Sequence, residues 1–243
     1  MFSKSNLYKY LSVVSTVSLV LAGFFIVQMF IIFLLHAMLQ SGLISGDLLE
    51  STLLQFVFSV LVYGLTLGFI LGVYQSLYGP IKNKKTLLGV SRKPKISDIY
   101  FLLAGYGVYF VGNLAVFTFL TTFVPGFNFD EKQSVGFENI NSQIEYVMAF
   151  VVLVVMAPLI EEAIFRGFLF TKVRKQLNFW PTAIVVSLIF GLVHLQWNVG
   201  VDVFVLSLVL CFVREKTNSI WAGVGIHMLK NCVAFMILFF NLA

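Results

Sequence analysis

Val151-Val152-Leu153-Val154-Val155-Met156-Ala157-Pro158-Leu159-Ile160 is apolar throughout and runs directly into Glu161-Glu162-Ala163-Ile164-Phe165-Arg166. Extended back to residue 143, the segment reaches about the 20 residues that a helix needs to cross a bilayer core. Two carboxylates and a guanidinium at the end of such a run are costly to place in lipid, so each is a functional candidate by default. A membrane span that delivers charge to one end sets the fold class of this chain.

The composition agrees. Of 243 residues, 59% are hydrophobic and 11% charged, against roughly 25% charged in soluble domains. The apolar residues come in blocks, at 11–38, 51–78, 99–124, 143–165, 180–196, 200–213 and 219–240. These blocks predict an all-α, polytopic transmembrane helical bundle of about seven spans, because helices satisfy their own backbone polar groups in lipid. Gly79-Pro80 closes the second span and Trp180-Pro181 opens the fifth. The sixth carries Asp202 and reads as short, and so as tilted or re-entrant. Residues 1–142 form the N-terminal helices, and residues 143–243 form the segment that carries the candidate chemistry.

Loop charge predicts the orientation. Lys82, Lys84, Lys85, Arg92, Lys93 and Lys95 follow span two; Lys172, Arg174 and Lys175 follow span four; Arg214 and Lys216 follow span six. With Lys4 and Lys9 they fall on one side. Asp47, Glu50, Asp130, Glu131, Glu138 and Glu145 fall on the other, joined by Lys132. An N-terminus in the cytoplasm satisfies this pattern, and a multi-pass protein of the cell membrane is expected. The first apolar run, from about Leu11 to Leu39, exceeds the ~7–15 residues of a signal core and reads as a retained span. The net charge of +5 lies in short juxtamembrane loops, so it marks topology and membrane lipid as partner, not nucleic acid. The two cysteines, Cys211 and Cys232, both lie in apolar runs and read as small unbridged core residues.

Polar residues recur inside the late spans. Glu162 and Arg166 are four apart and share a helical face, whereas Glu161 is rotated about 100° from its neighbour. Phe190-Gly191-Leu192-Val193-His194 lies in the fifth span and His227-Met228-Leu229-Lys230-Asn231 in the seventh. His227 and Asn231 share a face, as would His194 and Asn198 on a helix that ran so far. Lys230 is expected to reach towards the nearer surface. Peptide-bond hydrolysis needs an activated water and donors for the oxyanion. Glu161, His194, His227 and Asn231 supply such a set from three helices: a glutamate as general base, one histidine beside the water, and a second histidine and an asparagine amide for the oxyanion. Glu161, His194 and His227 are also a familiar zinc set, so residue types leave glutamate-activated and metal-activated water both open. No Gly-x-Ser-x-Gly elbow and no glycine-rich phosphate loop is present.

Glu161-Glu162-x-x-x-Arg166, Phe190-x-x-x-His194 and His227-x-x-x-Asn231, in this order, resemble the three motifs of the CAAX-prenyl-protease and bacteriocin-processing (CPBP, or Abi) family. The resemblance covers about residues 143–235 and implies a helical endopeptidase with its site sunk in the membrane near the cytoplasmic face. By motif position it implies Glu161 as principal catalytic glutamate, His194 as its partner at the water, His227 and Asn231 at the oxyanion, Glu162 and Arg166 in support, and a peptide or protein tail as substrate. The candidate residues reach one depth if the fourth helix continues to about Lys175, bent near Pro158. Two other readings remain open on the sequence: a non-catalytic scaffold or bacteriocin-immunity protein of the same fold, and a proton-coupled transporter.

Overall fold

The computed structural model describes residues 4–126, 136–137 and 140–240. Asp130, Glu131, Lys132 and Glu138, used above to assign the two sides, lie outside the described residues. Seven main helices follow one another: α1 (Lys4–Gln40), α2 (Thr52–Tyr78), α3 (Ser97–Phe123), α4 (Gln143–Arg174), α5 (Phe179–Leu192), α6 (Trp197–Thr217) and α7 (Trp221–Phe240). Single helical turns at Gly46–Leu49 and Lys84–Leu87 lie in the connections. All of these helices except α5 are long and apolar enough to cross a membrane, and α5 is a shorter apolar helix of 14 residues. The chain is an all-helical, multi-pass membrane protein, as its sequence leads one to expect.

Local chemistry fixes the helix ends. Ser51 caps α2 by accepting from the Leu54 amide at 3.4 Å, and Gly79, at φ +82°, ends it ahead of Pro80. At the start of α4 the Glu145 carboxylate accepts from the amides of Asn141 (2.7 Å) and Ser142 (2.9 Å), satisfying donors that a first turn leaves free. Asn218, in the left-handed region at φ +50°, closes α6.

Two expectations are corrected. The fifth span ends at Leu192, not at residue 196, and the sixth is a helix of 21 residues, neither short nor re-entrant. Between them the backbone turns at Leu195, which adopts φ +56°. His194 and Asn198 therefore stand on opposite sides of a corner and do not share a helix.

The expected long fourth helix is present, reaching Arg174. It contains two widened stretches with i→i+5 bonding, Val151–Met156 and Ala163–Leu169. The first directly precedes Pro158, whose ring nitrogen has no hydrogen to continue the regular ladder. The second holds Arg166, and such widened turns are common at functional sites.

The chain divides into two compact units, each drawing on several segments. The first comprises residues 1–18, 82–133 and 161–230. Its core packs Tyr109, Val205, Leu206, Leu210, Val213, Ala222 and Ile226. Glycines permit close approach here: a Cβ on Gly191 would meet the Gly200 carbonyl oxygen at 2.8 Å, so α5 and α6 touch through backbone. The three basic regions meet within this unit. Leu88 lies on Gly167, where a Cβ would stand 2.4 Å from the Leu88 carbonyl oxygen. Ile220 donates its amide to the Gly89 carbonyl (3.2 Å), and Trp221 Nε1 donates to the Arg92 carbonyl (2.6 Å). Arg214 Nε donates to the Arg166 carbonyl (3.1 Å), and Arg174 pairs with Glu215 at 2.9 Å. Arg92 itself is held by Asp98, whose carboxylate pushes the guanidinium pKa up.

The second unit comprises residues 19–81, 134–160 and 231–243. Gly23 packs on Ile70, joining α1 to α2, and Phe137, Ala149, Val152, Val154 and Phe235 form its apolar centre. Neither cysteine is bridged: Cys211 is buried and Cys232 half-buried.

Candidate active site

Residues 161–170 of α4 are all buried within the first unit. Glu162 and Arg166 are fully so, and their side chains pair at 2.9 Å along the helix. An unpaired charge in such a setting costs several kcal/mol, and the pair offsets part of it; among the described residues Glu162 Oε2 and Arg166 Nε and Nη2 have no hydrogen-bond partner. The shared face read from the four-residue spacing is present.

α7 brings His227 to this pair. Its Nδ1 stands 3.1 Å from Glu162 Oε1, the same oxygen that accepts from Arg166, and its Nε2 faces Glu161 Oε2 at 3.8 Å. The imidazole of His227, itself 2% exposed, thus lies between the two adjacent glutamates. The rotation of one residue along the helix separates the pair: Glu162 points to the Arg166 side of the ring and Glu161 to the far nitrogen. Glu162 therefore fixes the orientation of His227, and Arg166 fixes Glu162.

His194, just past the end of α5, turns its ring back on its own helix. Nδ1 lies 2.7 Å from the Phe190 carbonyl oxygen. That oxygen only accepts, so Nδ1 carries the hydrogen, and in the neutral ring Nε2 is left with its lone pair as a base or acceptor. Glu161, His227 and Lys230 all act on this ring electrostatically. Phe190 ties the group together. The Arg166 guanidinium lies over its face at 4.3 Å, and the rings of His194 and His227 meet it edge to face at 5.0 and 5.7 Å.

Asn231 belongs to the second unit, where its amide donates to the Leu153 carbonyl at 2.9 Å. The first unit by itself therefore gathers Glu161, Glu162, Arg166, His194 and His227.

A zinc site would draw on Glu161, His194 and His227. Each histidine has Nδ1 engaged and Nε2 available, a pattern common to metal ligands. Among the described residues, however, no three His, Cys, Asp or Glu side chains converge closely enough to hold an ion. As arranged, the residues do not fit a bound divalent metal.

Three contributions escape sequence reasoning. Phe190 is marked by the Phe-x-x-x-His motif, but its contacts with Arg166 and with both histidine rings are not readable from it. Gly223 leaves room for Glu162: a Cβ there would stand 3.2 Å from Oε2. Lys230 does not extend to the surface but pairs with Asp202 at 3.0 Å, because that carboxylate arrives from another helix.

Comparison with known proteins agrees with the motif resemblance. Residues 143–233 match the family described as type II CAAX prenyl endopeptidase Rce1-like. A 98-residue stretch is 24% identical to "Putative membrane peptidase YdiL" of Bacillus subtilis (strain 168), covering 39% of this chain and 40% of that protein. The chain thus aligns with less than half the length of this relative. No solved structure matches the chain.

Proposed function

We propose, from the match of residues 143–233 to the Rce1-like endopeptidase family, that this protein is an intramembrane endopeptidase. Its substrate is a membrane-associated peptide or the tail of a membrane-bound protein. The observation that carries the reading is the His227 ring set between Glu161 and an Arg166-anchored Glu162. A buried histidine held in one orientation beside a second, less enclosed carboxylate is what a hydrolytic site needs.

Glu161 acts as general base. It takes a proton from a water while the oxygen of that water bonds to the scissile carbonyl carbon. His194 accepts the second hydrogen of the same water through Nε2, holding it for attack. The carbonyl oxygen becomes an oxyanion, and His227 in its protonated form donates to it through Nε2. When the C–N bond breaks, protonated Glu161 returns its proton to the leaving amine, so the carboxylate is regenerated. Glu162 and Arg166 touch no reacting atom; they set the His227 ring. The cluster works in a setting largely closed to water, where such donors act more strongly than in solvent. By the loop charges, the ends of α4 and α6 face the cytoplasm.

The test uses purified full-length protein in lipid vesicles, with membrane peptides analysed by mass spectrometry. Glu161→Gln and His194→Ala each abolish cleavage while protein level and thermal unfolding stay at the unsubstituted values. Full cleavage by both variants would overturn the reading.

A further inference from the structure

A second polar cluster lies in the first unit, outside the three motifs. Asp202, in the second turn of α6, gathers three donors from two other helices. Lys230 Nζ of α7 stands 3.0 Å from Oδ2. Tyr109 OH donates to Oδ1 at 2.6 Å and Asn113 Nδ2 to the same oxygen at 3.1 Å, both from α3. The carboxylate and the ammonium are each mostly enclosed, with 19% and 17% of the side chain exposed. An ionised pair with neutral donors on the same carboxylate is an expensive arrangement inside an apolar segment, and such residues mark function.

Its position relates it to the chemistry. Lys230 follows His227 by three residues, so the two project from one face of α7, less than one turn apart. Lys230 also acts on the His194 ring electrostatically. Asp202 therefore bears on the site through one side chain: it holds the α7 turn that carries His227, and it neutralises a cation whose charge acts on the His194 ring.

We propose that Asp202 is a positioning residue for the hydrolysis, acting through Lys230 on His227. The inference rests on the endopeptidase reading above. It requires the Asp202–Lys230 pair to be balanced: loss of the carboxylate leaves an ammonium with no counter-charge three residues from His227. The turn of α7 then moves to bring that ammonium towards water. Loss of both charges removes the cause of the displacement. A neutral pair at these two positions keeps α7 in place with weaker hydrogen bonds.

The experiment compares steady-state cleavage by the full-length protein in vesicles for Asp202→Asn, Lys230→Gln and the double variant, with Glu161→Gln as control. Asp202→Asn is expected to lower kcat at least about tenfold while KM stays within about threefold, since substrate contacts are untouched. The double variant is expected to recover to within about threefold of the unsubstituted kcat, a coupling that two independent structural losses would not give. If Asp202→Asn does not fold, Lys230→Gln serves instead: it leaves Asp202 with its α3 donors, and its own kcat loss must again be relieved in the double variant. Unchanged kcat in the single variants, or a double variant at least as impaired as the worse single, overturns the inference. If the unsubstituted protein cleaves no faster than Glu161→Gln, the endopeptidase reading fails first, and the two failures are distinguished.

Discussion

The guanidinium of Arg166 lies 4.3 Å from the centre of the Phe190 ring, and that aromatic face covers a cation with no exposure to solvent. The same ring stands edge-on to both histidines. Phe190→Leu keeps the apolar volume but removes the π face. Loss of the contact is expected to lower stability by about 1–3 kcal/mol and to reduce kcat. Thermal unfolding in detergent together with cleavage rates checks this, and an unchanged melting temperature would count against the contact.

Glu162→Gln retains shape and removes charge. Arg166 is then left buried without a counter-ion, which costs about 3–5 kcal/mol. Replacing both, as Glu162→Gln with Arg166→Met, is expected to be less destabilising than the single change. Chemical denaturation of the two variants reads the difference directly, and a double variant less stable than the single would contradict the pairing.

Gly223→Ala places a methyl 3.2 Å from Glu162 Oε2. The carboxylate must shift by a few tenths of an ångström, and His227 with it. Cleavage is expected to fall about tenfold or more, since misplacement on this scale is costly to catalysis, with protein abundance unchanged. Gly167→Ala, whose methyl would run into the Leu88 backbone at 2.4 Å, should instead reduce abundance. Quantitative immunoblotting beside activity separates the two outcomes.

A glutamate-activated water needs no bound ion. Dialysis against a strong chelator is expected to leave cleavage unaltered, and elemental analysis of active protein to find no stoichiometric zinc. Activity lost to the chelator and restored by zinc would return the three-ligand reading.

Much of this was legible in the chain because its signals are local. Apolar block length marks the spans, and the four-residue spacing of Glu162 and Arg166 predicts their pairing. The need to bring candidate residues to one depth predicts a long α4. The end of α5 was not legible, because Gly191-Leu192-Val193-His194 contains no proline and the reversal depends on a leucine, Leu195, taking a left-handed backbone. The Asp202–Lys230 pair joins side chains 28 positions apart on different helices, a distance at which spacing rules say nothing. The contact of Phe190 with Arg166 and the closeness of Gly223 to Glu162 depend on side chains that arrive from another helix.

The brevity of α5 bears on how water would reach the proposed hydrolytic site. At 14 residues, and a rise of 1.5 Å per residue, the helix covers about 21 Å, against a hydrocarbon thickness of about 30 Å. Exposed Trp180 near its start and Trp197 just beyond its end are side chains that favour the headgroup level. A bilayer that met both tryptophans at headgroup level would thin beside α5 and bring its headgroup layer closer to the end where His194 sits. Water for the proposed hydrolysis would then have a shorter apolar layer to cross.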